Sequence, residues 1–91
     1  MNIADYCDAL SLELRVLRYP NQDGRWCARF EYCETKDTPG SGMLASTYGD
    51  GKTPEAAISD YVDKIRGKIL VVDAMSSLLR REYAVPITLE S

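Results

Sequence analysis

The sequence contains no histidine, and this absence excludes several kinds of chemistry at once. Zinc sites of the Cys/His kind, serine and cysteine hydrolase triads and histidine phosphotransfer all lose their usual partner residue. No run approaches the roughly eighteen apolar residues of a membrane span, so none is expected. The segment Met1 to Leu10 lacks the basic flank and continuous apolar core of a secretory signal, which makes the cytoplasm the expected compartment. Glycine (6) and proline (4) are too scarce for a disordered or low-complexity chain. No internal repeat is present.

What is there is one domain's worth of chain. The 91 residues are 45% hydrophobic and 27% charged, the proportions of a folded globular protein. A single domain over residues 1–91 is expected, with one modest core; self-association is a natural way to add burial. The 14 acids against 11 bases give a formal net charge of -3. A chain this acidic is not built to coat a phosphate backbone, so direct DNA or RNA binding is not expected. The three cysteines, Cys7, Cys27 and Cys33, match no metal spacing. Cys27 and Cys33 would share a face of an unbroken strand about 20 Å apart, too far for a disulfide. Free thiols, mostly buried, are expected, and no metal or cofactor.

Along the chain, Ile3, Tyr6, Cys7 and Leu10 lie at helical spacing. Residues 2–9 read either as a short helical turn or as a lead-in to the first strand. Residues 11–19 alternate, with Leu12, Leu14 and Val16 facing one way and Glu13, Arg15 and Leu17 the other, which predicts a half-buried strand. A turn over residues 19–24 follows, where Asp23-Gly24 offers the positive φ of a hairpin. A second strand is expected over residues 25–34, with Trp26, Ala28, Phe30 and Tyr32 on the core face. After a turn-rich stretch (36–42), a third strand is expected over residues 43–48.

Gly49-Asp50-Gly51-Lys52 then breaks the strand. Thr53 can cap a helix and Pro54 fits its first position. Ala57, Ile58, Tyr61, Val62 and Ile65 form an apolar stripe, and Asp60 and Lys64 stand at the favourable i,i+4 spacing. A helix of about thirteen residues ending at Gly67 follows. Residues 68–75 contain Ile69-Leu70-Val71-Val72, continuously apolar like a central strand covered on both sides. Residues 82–89 read as a last strand, and Pro86 places it at an edge. The expected fold is α+β: an antiparallel sheet of about five strands in the order β-β-β-α-β-β, with one amphipathic helix packed on it.

The run Tyr48-Gly49-Asp50-Gly51-Lys52-Thr53-Pro54-Glu55-Ala56-Ala57-Ile58, preceded by an Asp-Gly turn and Trp26-Cys27-Ala28-Arg29-Phe30, resembles the strand-to-helix junction of the N-terminal domain of HicB-type antitoxins. The resemblance covers residues 24–66. It implies a small βββα-β unit, similar to the double-stranded RNA-binding fold, that binds a toxin rather than RNA and forms dimers or tetramers. Residues 69–91 depart from the family, which usually carries a DNA-binding module there. The stretches Gly67 to Val72 and Arg80-Arg81-Glu82 also resemble small accessory proteins of bacterial viruses, which often act as inhibitors or as sponges for immune signals.

Among candidate sites, Arg80 and Arg81 form the densest positive spot. Arg15, Arg25 and Arg29 add to it if the first two strands pair, or else simply pair with Glu13 and Glu31 on a solvated face. Gly49 to Thr53 is not Walker A, although its N–H groups offer a phosphate contact besides a tight turn. Tyr48 and Tyr83 are the aromatics available for base stacking. The candidate ligand or partner-binding residues are thus Arg80, Arg81, Tyr48, Thr53, Tyr83 and Arg29, and the exposed apolar Met75, Leu78 and Leu79 are the candidate interface. Asp73 interrupts an apolar strand and needs a partner such as Arg80 if it points inward. With no nucleophile–base pairing in view, an enzyme is not expected. The expected function is that of a non-enzymatic homodimer or larger oligomer that blocks a basic host protein, a nuclease for example. The alternative is a sponge for a small nucleotide.

Overall fold

The computed structural model describes residues 1–20 and 24–91. Over these residues it is an α+β protein with two helices and two three-stranded antiparallel sheets. The elements run α1 (Ile3–Leu10), β1 (Leu14–Arg18), β2 (Trp26–Phe30), β3 (Cys33–Lys36), β4 (Gly49–Gly51), α2 (Pro54–Ile65), β5 (Ile69–Val72) and β6 (Arg81–Ala84). One sheet has the order β1-β2-β4, the other β3-β5-β6.

The expectation of a single sheet of about five strands is corrected at Tyr32. The run over residues 25–34 is apolar enough for one strand, but Tyr32 adopts φ +59°, a left-handed conformation that no strand continues through. The chain bends there, and the two halves join different sheets. Cys27 and Cys33 therefore do not share a strand face, and Tyr32 is 73% exposed rather than part of the core. The aromatic cluster forms instead around Phe30, which meets Tyr61 edge-on at 5.5 Å and Tyr6 at 6.2 Å.

Residues 43–48 are not a strand; only Ala45 bridges to Thr35. The strand lies one step later, at Gly49–Gly51, where a break was expected. Its glycines serve close approach. A Cβ at Gly49 would overlap the Ala57 carbonyl, and one at Gly51 would stand 2.6 Å from the Ala57 nitrogen. Their absence lets α2 lie directly on β4. The helix itself follows the sequence reading: Thr53 Oγ1 accepts from the Ala56 N–H, Pro54 opens it, and Ala57, Tyr61, Val62 and Ile65 are buried. Lys64 pairs with Asp60 at 2.9 Å. The cap residue is Arg66, and Gly67 beyond it takes φ +72°. The N-terminal segment is a true helix, capped by Asn2.

One core joins both sheets. Ala28 and Phe30 come from the first, Cys33, Leu70 and Val72 from the second, and α1 adds Ile3, Tyr6 and Cys7. β4 stops opposite Ala28, so the Phe30 N–H finds no strand partner there; the buried Tyr61 hydroxyl accepts it at 3.1 Å. β5 is the central strand of its sheet, as its apolar run implies. Its outer neighbours include Lys36, only 6% exposed, whose ammonium meets Glu82 at 2.7 Å and donates to the Pro39 carbonyl. β6 is an edge strand, shorter than expected, because it ends before Pro86. Beyond it the Ile3 N–H donates to the Glu90 carbonyl, tying the two ends of the chain together. Residues 21–23 of the turn expected over residues 19–24 lie outside the described residues; Gly24 at its end takes φ +63°.

Candidate functional site

The pairing of β1 with β2 sets the floor of the main cleft. Leu14, Val16, Ala28 and Phe30 turn to the core, so the alternate residues face outward. Arg15 stands directly opposite Arg29, and Leu17 opposite Cys27. The turn after β5, Asp73 to Ser76, rises beside this face, and Tyr32 to Glu34 close a third side. Between them lies a half-open cleft of about 720 Å³. That size falls in the range of small-molecule sites, about 300–1,000 Å³.

The charges in the cleft are mixed. Arg15 reaches Glu31 through Nε at 3.4 Å, so the sequence expectation of a solvated arginine–glutamate face is met for this one pair. Arg29 has no ion pair among the described residues. Glu34 and Asp73 add two carboxylates to the walls. Burial pushes the Cys33 thiol up to about 12, with the Asp73 charge adding to the shift and Arg29 and Arg81 opposing it. It is therefore a neutral thiol near neutral pH and a poor nucleophile. Cys27 is half-buried, and all three thiols are free.

Tyr32 and Asp73 hold the cleft's shape. Both have positive φ, +59° and +52°, and the Asp73 N–H donates to the Tyr32 carbonyl at 2.9 Å. Asp73 ends β5, and its side chain lines the cleft instead of meeting Arg80. The following turn is braced internally. The Ser76 N–H donates to the Asp73 carbonyl, the Leu79 N–H to Ser76 Oγ, and Arg80 to the Ala74 carbonyl. A firm turn thus presents Met75 (96% exposed) and Leu78 (93%) to solvent. With exposed Leu17 and Tyr32, Met75 gives the cleft an apolar rim.

Of the residues singled out from sequence, Arg29 and Met75 line this cleft. Arg81 lines a smaller neighbouring pocket that shares Glu31, Tyr32 and Asp73 with it, and its guanidinium stands 6.0 Å from the Tyr83 ring centre. Arg80 is taken up by Glu82 at 3.1 Å. Tyr83 packs against the core, Thr53 caps α2, and Tyr48 stacks with Lys64 at 5.6 Å. Within Gly49–Thr53 the Asp50 N–H donates to Asp60, and at the start of α2 the Ala56 and Ala57 N–H groups donate to Thr53. Neither pocket is lined by Arg80 or by residues 49–53. Sequence reasoning missed Tyr32 and Glu34. It placed Tyr32 in the core by alternation, and nothing local marks the left-handed bend. Leu17 on the charged face of β1 was the visible clue.

Among the described residues, no helix is long and apolar enough to cross a membrane. No group of three His, Cys, Asp or Glu residues is placed to hold a metal ion among them. Comparisons with models of protein families, with curated proteins and with solved structures gave no match.

Proposed function

We propose that this is a non-enzymatic binding protein that blocks a basic partner protein through the exposed apolar turn beside the cleft. The observation carrying this reading is the exposed apolar turn after β5: Met75 lines the cleft with exposed Leu17 and Tyr32, and Leu78 and Leu79 stand exposed further along the same turn. Tyrosine, methionine and arginine are the residues that interface cores favour, and an exposed apolar patch of this kind marks a contact site. The net charge of -3 favours a basic partner and speeds its approach. A nuclease is the partner class that fits, in keeping with the antitoxin-like run from Tyr48 to Ile58. Self-association through the same apolar turn is the competing use.

The test is affinity capture from host lysate with the wild-type chain and with Leu78→Asp/Leu79→Asp. Both substitutions lie outside the cleft lining and on exposed positions, so the fold is retained. The expected result is one stoichiometric basic protein, bound more weakly at high salt and lost from the double variant. Equal capture by both chains overturns the proposal. So does a wild-type dimer that the double variant splits into monomers without any captured protein.

A further inference from the structure

The floor of the cleft carries an arrangement that the folded chain alone does not explain. Arg15 and Arg29 face each other across β1 and β2, and like charges directly opposite in a sheet destabilise it. Glu31 offsets one of them, at 3.4 Å. At the edge of the same cleft, Tyr32 keeps an exposed aromatic ring on a left-handed backbone conformation that strains a bulky residue. An anion with an attached flat ring would relieve the first and use the second.

We propose that the cleft binds a nucleoside monophosphate whose base presents N–H donors, guanine matching best. Arg15 and Arg29 take the phosphate, as paired guanidinium groups do. The base stacks on Tyr32. Its donor edge meets Glu34 and Asp73, which line the walls as acceptors. These carboxylates and Glu31 oppose further negative charge, so a single phosphate fits better than a polyphosphate. This goes beyond the blocking of a protein partner and stands on different residues from Leu78 and Leu79. A protein seated on the rim would cover the floor, so nucleotide and partner would compete.

The test is calorimetric titration of the purified full chain with GMP, guanosine and inorganic phosphate. GMP is expected to bind saturably, one per chain, at least tenfold tighter than either fragment. Arg29→Gln should weaken it at least tenfold. Tyr32→Gly should do the same while raising the thermal midpoint, because glycine accepts φ +59° without strain. That gain in stability separates loss of stacking from loss of fold. Absence of saturable GMP binding overturns the proposal. So does phosphate binding as tightly as GMP, or Arg29→Gln and Tyr32→Gly titrating like the wild type.

Discussion

Tyr32 and Asp73 adopt left-handed backbone at the two points where strands leave the sheets, and a hydrogen bond of 2.9 Å joins them. Such positions cost stability and persist where the surrounding structure fixes them. Removing the cost at Tyr32 should show in equilibrium unfolding: Tyr32→Gly is expected to stabilise the protein by about 1 kcal/mol, read as a higher urea midpoint. The thiols make a second residue-scale prediction. Cys7 and Cys33 are buried and Cys27 is half-buried. Alkylation of the native protein, followed by peptide mass spectrometry, should label Cys27 first. Burial raises the Cys7 thiol and lifts Cys33 from its ordinary 9.0 to about 12, so both should react only after denaturation. Equal labelling of Cys33 and Cys27 would contradict this placement.

At the scale of elements, α2 lies directly on β4. Gly49 has no room for a methyl group, because the Ala57 carbonyl and the Tyr61 backbone occupy it. Gly49→Ala is therefore expected to cost about 3 kcal/mol, measured by urea denaturation. Gly40→Ala meets nothing within 4 Å and serves as the control. The helix was legible in the sequence from Thr53 onward because capping, proline and periodicity are local. The strand before it was not legible, since three residues reading Gly-Asp-Gly look like a turn until a helix is laid against them.

Across the whole molecule, ion pairs bind the charged surface to the fold. Hydrogen bonds from Lys36 and Arg80 hold the Glu82 carboxyl below its ordinary 4.5. Arg25 lowers Asp50 and Lys64 lowers Asp60, each below the ordinary 3.8. A carboxyl depressed in the folded state stabilises it fully above its unfolded value, and that contribution fades as pH falls through the folded value. The urea midpoint should thus hold from neutral pH to about 4.5 and decline below it. Glu82→Gln should lower the neutral plateau and flatten the acid decline. At the alkaline end the raised Cys33 thiol works the other way. Its contribution is complete below 9.0 and is lost as the pH climbs toward about 12.

The sequence by itself determined the α+β class, the capped helix with its buried stripe, the central place of Ile69 to Val72 and the edge position of the strand near Pro86. Those features follow from the periodicity, caps and backbone limits of neighbouring residues. Only the tertiary structure decided that the run through Tyr32 divides between two sheets, that Gly49–Gly51 is a strand, and that Arg15, Arg29, Tyr32 and Asp73 share one cleft. The physical reason is distance along the chain. The cleft joins residue 15 to residue 76, and what holds it open is strand pairing and two left-handed residues, neither of which leaves a periodic trace.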